Sequence, residues 1–249
     1  MARLTPDAAV QSDGPPATDL RHLGIIVDGS RRWAKARGLS TSEGHRAGAE
    51  KVHEVLGWCS ASGIQVVTLW VLSVANLRRS VDELAPLLGI IEDLALDLHC
   101  DGRWDVRPIG DFGLLPHRTA AIMRLVAGAE NQQPGGVQVN LAVAYGGREE
   151  LLGAFRRTVA ELAARGYDAD QIADALEERD IARHLYTSGQ PDPDLVLRTS
   201  GEQRLSGFMP WQGFQSELHF CPTLWPDLTK QDFVGALESY GRRLRTRGV

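Results

Sequence analysis

Three short segments of this sequence each combine arginines with hydroxyl groups or glycines, directly after a run of apolar residues. The segments are residues 28–33, 73–79 and 198–206. An arginine guanidinium forms two parallel hydrogen bonds to phosphate oxygens, and backbone N–H groups at the start of a helix also bind such anions. The three segments therefore predict a site for a phosphorylated small molecule, provided that the fold brings them together.

The apolar runs that precede these segments predict β-strands. Each run is short and bounded by turn residues, as expected for strands that are buried on both faces of a parallel sheet. Segments with a helical spacing of apolar residues alternate with the runs. The predicted strands are residues 23–27, 65–72, 104–109, 137–145, 194–197 and 217–220. The predicted helices are residues 47–61, 81–100, 116–129, 148–165, 230–245 and, as one or two short helices, 169–185.

This alternation predicts a single α/β domain with a central, mostly parallel six-stranded sheet that is flanked by helices. Ligands of such sheets bind outside the carboxyl ends of the strands, which is where the three polar segments fall. Residues 1–21 are rich in Pro, Asp, Ser and Ala and predict a flexible leader. Residues 22–249 then form the domain.

The overall composition excludes several classes of function. The chain has 249 residues, with 27 Lys and Arg against 32 Asp and Glu and a formal net charge of -5. A mildly acidic protein is a poor general ligand for nucleic acid, so we expect no nucleic-acid partner. No window contains the roughly 18 consecutive apolar residues of a membrane span, so we expect no integral membrane segment. Cys59, Cys100 and Cys221 lie outside any metal or redox spacing and favour a reducing, cytoplasmic location.

Each polar segment also has a purely structural interpretation when it is taken alone. Asp28 with Gly29 is compatible with a simple turn, and His45 with a structural hydrogen bond. The arginine pair that follows Gly29 is compatible with a solvated helix face. The aromatic residues of the C-terminal part are interpreted as core residues: Trp211, Phe214, Phe220 and Trp225. The coincidence of three such segments at one edge of the sheet is what favours a phosphate-binding site.

Longer motifs around these segments carry a family resemblance. They are residues 22–35, 44–48 and 194–208, followed by Glu217 and residues 224–227. Through them the sequence resembles the cis-prenyltransferases, the undecaprenyl diphosphate synthase-like family, from His22 to about Arg243. Residues 185–194 look especially like the short-chain actinobacterial members that make Z-farnesyl diphosphate. The sequence has no Asp-Asp-x-x-Asp motif, so the unrelated trans-prenyltransferase fold is excluded.

The resemblance implies a homodimer in which each subunit holds a hydrophobic tunnel above the sheet. It also implies that Mg²⁺ assists the joining of a five-carbon diphosphate to an allylic diphosphate. By position, Asp28 matches the family's essential aspartate, which handles the metal and the allylic diphosphate, and Glu217 matches a second metal ligand. Whether both metal ligands act in one subunit stays open. The other matching residues are Gly29, Ser30, Arg31, Arg32, Trp33, His45 and Arg79 at the allylic diphosphate, and Arg198, Arg204 and Ser206 at the second diphosphate.

The sequence departs from the family pattern where the second segment would hold a carboxylate. The family reads Ser-x-Glu-Asn there, whereas this chain places Ala75 between Ser73 and Asn76; Ser30 also replaces an asparagine. In the family, the serine, glutamate and asparagine surround the proton that isopentenyl diphosphate loses. We therefore expect Ser73 and Asn76 to be catalytic together with Asp28. Family members that make lavandulyl-type skeletons share the alanine.

These departures lead to one hypothesis and two alternatives. We expect a short-chain enzyme that joins dimethylallyl diphosphate head-to-middle to an allylic diphosphate of five to ten carbons, giving a lavandulyl- or sesquilavandulyl-type diphosphate. The first alternative is a regular head-to-tail Z-farnesyl diphosphate synthase that uses isopentenyl diphosphate. The second is a non-catalytic accessory subunit. Val71 stands where long-chain members carry a smaller alanine, which predicts a short product for either enzyme.

Overall fold

The structure, a computed structural model, describes residues 18–129 and 136–242. Its centre is a six-stranded sheet in which all neighbouring strands run parallel, in the order β3-β4-β2-β1-β5-β6. The strands are β1 (His22–Ile26), β2 (Val66–Ser73), β3 (Trp104–Ile109), β4 (Val137–Tyr145), β5 (Leu195–Arg198) and β6 (Glu217–Phe220). The predicted α/β domain with six strands is confirmed.

The helices of the described residues alternate with these strands. They are α1 (Ser30–Ala36), α2 (Thr41–Ala61), α3 (Val81–Asp101), α4 (His117–Ala127), α5 (Gly147–Ala164), α6 (Ala169–Ala175), α7 (Glu178–Ala182) and α8 (Lys230–Arg242). A short 3₁₀ helix, Val74–Arg78, follows β2. The last three residues of the predicted helix 230–245 lie outside the described residues.

Helix α2 begins six residues earlier than the apolar spacing predicts, because its first turn is stabilised by a capping box. The Ser40 hydroxyl accepts a hydrogen bond from the Glu43 N–H at 3.2 Å, and the Glu43 carboxylate accepts one from the Ser40 N–H at 2.7 Å. Gly44 lets this turn lie directly on α1, since a Cβ there would be 2.4 Å from the Ser30 carbonyl oxygen. The early start places His45 beside α1.

The central strands are covered on both faces, which is why they appear in the sequence as continuous apolar runs. β1 is buried along its whole length. Leu20, which belongs to the predicted leader, is fully buried in the same core, and the Thr18 N–H donates to the Ser62 carbonyl. The chain therefore joins the core before His22, and residues 1–17 of the predicted leader lie outside the described residues. In the part of the chain that is described, no helix is long and apolar enough to span a membrane.

The expectation that four C-terminal aromatic residues lie in the core is only partly correct. Trp225 is buried and donates from Nε1 to the Gly48 carbonyl at 2.7 Å, inside the contact between α2 and the segment after β6. Phe214, in contrast, is 87% exposed. It follows a tight turn in which the Gly213 N–H bonds back to the Met209 carbonyl, and this turn directs residue 214 outward.

Acid is expected to destabilise the fold through His22, which is fully buried at the start of β1. Its Nδ1 lies 2.7 Å from the Pro191 carbonyl oxygen and its Nε2 lies 2.8 Å from Thr68 Oγ1. Burial lowers the pKa of His22 to about 4, below the usual value of 6.5. The unfolded chain therefore binds more protons between these two pH values. As pH falls through this window, the free energy of unfolding should drop by about 3 kcal/mol.

Urea denaturation at pH 7 and pH 5 measures the upper part of this window, where the loss should be about 2 kcal/mol, and the variant His22→Gln serves as the comparison. Burial also lowers the pKa of His45 to about 4, so His45 adds to the pH dependence in both proteins. The variant should nevertheless lose clearly less stability than the natural protein over this interval. Equal losses in the two proteins would contradict the assignment to His22.

Candidate active site

A cavity of about 560 Å³ opens at the carboxyl ends of β1, β2 and β5, where the sequence predicts a phosphate site. It is lined by all but two of the predicted site residues: Asp28, Gly29, Ser30, Arg31, Arg32, His45, Val71, Ser73, Asn76, Arg79, Arg198, Arg204 and Ser206. The two predicted residues that do not line it are Trp33 and Glu217. The cavity thus combines the three polar segments in one site, as the parallel topology requires.

The most buried charge pair of the cavity joins β1 to β5. Arg198 ends β5, and its side chain is only 6% exposed. Its Nη2 donates to Asp28 Oδ2 at 2.8 Å, and its Nη1 donates to Ser206 Oγ at 2.8 Å. Burial alone would raise the pKa of Asp28, but the hydrogen bond and charge of Arg198 outweigh it and hold this pKa below its usual value. Asp28 is therefore an anion at neutral pH.

The segment after β5 folds back over this pair as an irregular loop. Ser200, Gly201 and Ser206 adopt positive φ angles of 78°, 76° and 55°, which turn the chain so that Arg204 and Ser206 reach the cavity. Glu202 also lines the cavity and pairs with Arg204, and it lies 3.7 Å from Arg32 Nη1. Glu202 stands inside the 198–206 motif but is not among the predicted site residues.

Positive charge is concentrated on the opposite wall, formed by α1, the start of α2 and residue 79. Arg31 and Arg79 share one carboxylate, with Glu83 Oε1 3.5 Å and 3.1 Å from their respective Nη1 atoms. Burial and the charge of Arg31 lower the pKa of Arg79. This wall therefore has room and charge for an anion.

His45 lies on the same wall as a neutral imidazole. Burial and then the charge of Arg79 lower its pKa to about 4. Among the described residues, its buried Nε2 has no hydrogen-bond partner. A buried polar atom without a partner at the edge of a polar cavity suits a ligand oxygen.

The second polar segment forms a small hydrogen-bonded unit at the cavity rim. The Asn76 N–H donates to Ser73 Oγ at 3.1 Å, which caps the 3₁₀ helix after β2. The side-chain amide nitrogen of Asn76 donates to Ser73 Oγ at 2.6 Å, and its amide oxygen accepts a hydrogen bond from Arg79 Nη2 at 2.6 Å. Ala75 is exposed and does not line the cavity. The unit therefore presents a hydroxyl, an amide and a guanidinium, but no carboxylate.

The inner part of the cavity is apolar. Helix α3 contributes Leu87, Ile90, Ile91 and Leu94 to its wall. Val71 lies opposite, at a β-bulge where the pairing of β2 with β4 shifts between Trp70 and Leu72. Bulges re-aim side chains next to functional sites. Here the bulge helps to direct Val71 into the apolar part of the cavity.

Trp33 and Glu217 lie elsewhere. Trp33 Nε1 donates to Asp227 Oδ1 at 2.7 Å, and the Arg37 guanidinium covers its ring at 4.4 Å, so this tryptophan anchors α1 from outside. Glu217 is the first residue of β6 and pairs with Leu195 of β5, which in turn pairs with Leu23 of β1. Asp28 follows Leu23 by five residues, so Glu217 lies five residues along the strands and two strands across the sheet from Asp28. That offset is roughly 16 Å along the strands and about 10 Å across them. Within one chain the two predicted metal ligands are not brought together.

Comparisons with known proteins identify the family. The family model described as "Putative undecaprenyl diphosphate synthase" matches residues 26–248. The chain belongs to the undecaprenyl diphosphate synthase family.

Relatives of this family member carry more specific names. The (2Z,6E)-farnesyl diphosphate synthase of Thermobifida fusca is 52% identical, over 92% of this chain and 89% of its own length. Isoprenyl transferase 1 of Streptomyces avermitilis is 48% identical, over 92% and 88%. The crystal structure of lavandulyl diphosphate synthase from Lavandula x intermedia, in complex with dimethylallyl diphosphate, superimposes with a TM-score of 0.83. It is 35% identical and covers 91% of this chain and 97% of that one.

The chain is therefore a short-chain cis-prenyltransferase. Its relatives are named as enzymes, and its cavity retains Asp28, Arg198 and Arg204. The alternative interpretation as a non-catalytic accessory subunit is not supported.

Proposed function

We propose that this cis-prenyltransferase joins two allylic diphosphates head-to-middle, with dimethylallyl diphosphate as the five-carbon substrate, and forms a lavandulyl- or sesquilavandulyl-type diphosphate. The observation that carries the proposal is the absence of an available carboxylate base. Among the described residues that line the cavity, the carboxylates are Asp28 and Glu202, and both are paired with arginines. The rim unit of Ser73, Asn76 and Arg79 adds none.

The two diphosphates bind at the two charged walls of the cavity. The donor diphosphate lies against Arg31, Arg32, His45 and Arg79, with its tail among the apolar residues of α3. The acceptor diphosphate is held by Arg198, Arg204 and Ser206. This arrangement sets the two reacting carbons side by side and excludes water from the carbocation that forms.

The bond changes balance without an added base from the protein. The donor C1–O bond breaks, and its electron pair leaves with the diphosphate, whose charge the arginines stabilise. The C2=C3 electron pair of the acceptor forms the new bond from C2 to the donor C1, which leaves a tertiary cation at C3. A methyl group on C3 then loses a proton to the departing diphosphate, and a new double bond forms.

This regiochemistry explains why a carboxylate is dispensable beside Asn76. In the head-to-tail reaction, isopentenyl diphosphate loses a proton from C2, next to the acceptor diphosphate and the rim unit. In the head-to-middle reaction, C2 forms the new bond and the proton leaves a methyl group instead. Ser73 and Asn76 then orient the acceptor, and the position of Ala75 needs no acid-base group.

The residues present fit a Mg²⁺ ion bound mainly by substrate. Mg²⁺ sites for phosphate chemistry use one or two carboxylates and complete their coordination with phosphate oxygens and water. Asp28 is ionised and faces the cavity, so we propose that it holds the ion. When bound, Mg²⁺ would add positive charge that stabilises the leaving diphosphate.

Substrate choice tests the proposed function. Purified enzyme with Mg²⁺ is incubated with dimethylallyl diphosphate alone, with geranyl diphosphate added, and with isopentenyl plus geranyl diphosphate, and the dephosphorylated products are separated by gas chromatography. We expect branched products without isopentenyl diphosphate. A linear Z-farnesyl product that forms only with isopentenyl diphosphate would support the regular alternative, which the 52% identical relative favours by its name.

The variant Val71→Ala is expected to lengthen the products. Val71 lines the apolar part of the cavity opposite α3, and removing two methyl groups there leaves space for further carbons. Chromatography of the products formed from a five-carbon and a ten-carbon substrate measures the change. An unaltered product length would mean that other residues of the wall set the limit.

We propose that the active form is a homodimer, assembled through α5 and the loop after Trp211. On α5, the residues Leu152, Phe155 and Val159 are exposed and repeat at helical spacing, and Phe214 projects from the adjoining loop. A second copy is also the route by which a Glu217 carboxylate would reach a metal. Phe155→Glu should yield monomers in light scattering, whereas Leu125→Glu, at an exposed position of α4, should leave the dimer intact. If both variants stay dimeric, the interface lies elsewhere.

We place the enzyme in the reducing cytoplasm, in keeping with its three free cysteines.

A further inference from the structure

The cavity contacts two separate apolar clusters, one on each face of the sheet. Val52, Leu87 and Ile91 belong to the main core between the sheet, α2 and α3. Ile26 and Trp70 belong to a smaller cluster with Phe208 and other residues beneath the loop that carries Arg204 and Ser206. The proposed function places the donor tail beside α3, in the main core. The smaller cluster with Ile26 and Trp70 then borders the part of the cavity that receives the acceptor.

Trp70 lies in the same row of the sheet as Arg198, which with Arg204 and Ser206 forms the proposed binding site of the acceptor diphosphate, here called the acceptor clamp. Ile26 of β1 is paired with Trp70 of β2 on one side and with Arg198 of β5 on the other. Paired residues of neighbouring parallel strands project from the same face of the sheet. Trp70 and Arg198 therefore project from one row on the same face of the sheet, and their backbones lie two strands, or about 10 Å, apart.

The Trp70 ring is held rigidly. It stacks on Phe208 with a centroid distance of 5.3 Å and an interplanar angle of 16°, and its Nε1 donates to the Tyr145 carbonyl at 3.3 Å. Tyr145 is itself fixed, because its hydroxyl donates to the buried Glu150 carboxylate at 2.6 Å and accepts from the Met209 N–H at 3.2 Å. Phe208 covers one face of the indole and Trp70 also lines the cavity, so the opposite ring face is the one available to a ligand there.

We propose that this open face of Trp70 forms the floor of the acceptor subsite and stabilises the positive charge that develops on the acceptor's tertiary carbon. The inference rests on the proposed function for the place of the acceptor. The ligand is a small isoprenyl diphosphate, with its diphosphate on Arg198 and its dimethylvinyl group on the indole. A desolvated cation over an indole face is stabilised because the ring carries negative charge density on its faces. No bond to Trp70 forms or breaks.

Two substitutions separate this role from simple packing. Trp70→Leu should lower kcat by roughly 10- to 30-fold while changing the acceptor KM by less than about 3-fold, because the cation exists only after binding. Trp70→Phe keeps an aromatic face and should restore most of the kcat. Circular dichroism confirms that both variants are folded. A Leu variant with the kcat of the natural enzyme, or one that changes only KM, would overturn the proposal.

Fluorinated tryptophan provides a readout that a structural role would not move. Fluorine weakens the negative charge on the ring face with little change in shape. The chain has 6 tryptophans, so the same fluorinated series is incorporated into the natural enzyme and into Trp70→Phe as the matched control. We expect kcat to fall stepwise with fluorination in the first and to stay level in the second. Equal slopes in the two proteins would overturn the proposal.

The assay follows release of diphosphate with whichever five-carbon acceptor the enzyme uses. A linear product would contradict the proposed head-to-middle function, but the tertiary cation at C3 of the acceptor forms in both reactions. The fluorination slope therefore tests Trp70 independently of the regiochemistry.

Discussion

The variant Asp28→Asn is expected to lower kcat/KM by about 10³-fold or more, because it removes the carboxylate that contacts both Arg198 and Arg32 and that is proposed to bind Mg²⁺. Asp28 accepts a hydrogen bond from Arg198 at 2.8 Å, and Arg32 Nη2 lies 3.6 Å from its other oxygen. Arg198 holds its pKa low, so the carboxylate is charged and available for Mg²⁺. Asparagine keeps the shape but neither binds Mg²⁺ as strongly nor balances the two arginines.

Steady-state kinetics with saturating Mg²⁺ measure this effect, and the control is Asp101→Asn. Asp101 also pairs with an arginine, Arg103, at 2.6 Å, but it lies at the end of α3 and does not line the cavity. The control should keep the activity of the natural enzyme. An Asp28→Asn enzyme within about tenfold of the natural kcat/KM would remove Asp28 from the mechanism.

The second large effect is expected from Arg198→Lys, with a loss of about 10²- to 10³-fold in kcat/KM for the acceptor. The planar guanidinium contacts Asp28, Ser206 Oγ and the Arg204 carbonyl at once. A lysine ammonium keeps the charge but does not span these three partners. The acceptor clamp would lose its geometry, so the KM of the acceptor should rise more than that of the donor.

Titration of each substrate at saturating concentration of the other separates the two KM values. Arg103→Lys, which alters an exposed arginine that also pairs with an aspartate, is the control and should leave both values unchanged. If Arg198→Lys raised the donor KM instead, the proposed assignment of the two diphosphates to the two walls would have to be reversed.

The elements of the fold are predictable from the sequence because burial on both faces leaves a direct pattern. β3, β4 and β6 have the predicted bounds, and Asp28, Ser73 and Arg198 fall at strand ends as the parallel topology requires. The start of α2 was missed because its first turn is polar and is stabilised by the Ser40–Glu43 capping box rather than by apolar contacts.

Other features depend on tertiary register, which local pattern does not encode. The motif resemblance gave Glu217 a metal-binding role without fixing the subunit in which it acts, and strand pairing places it at the end of the sheet opposite the cavity of its own chain. Trp33 shares the helix of the cavity residues yet projects toward Asp227. The bulge at Val71 arises from packing and has no signal in the sequence. The dipeptides Ser200-Gly201 and Ser206-Gly207 do indicate turns, but they do not reveal that the serines themselves adopt positive φ angles.

The regiochemistry of the coupling is the central claim, and isotope labelling tests it most directly. Dimethylallyl diphosphate with both methyl groups fully deuterated is supplied as the sole substrate with Mg²⁺, and the dephosphorylated product is analysed by mass spectrometry and NMR. Head-to-middle joining predicts a branched ten-carbon alcohol that has lost a single methyl deuteron and carries a new deuterated methylene group. Two results together would contradict the proposal. The enzyme would form no product without isopentenyl diphosphate, and with it would form a linear product that has lost a C2 proton of isopentenyl diphosphate.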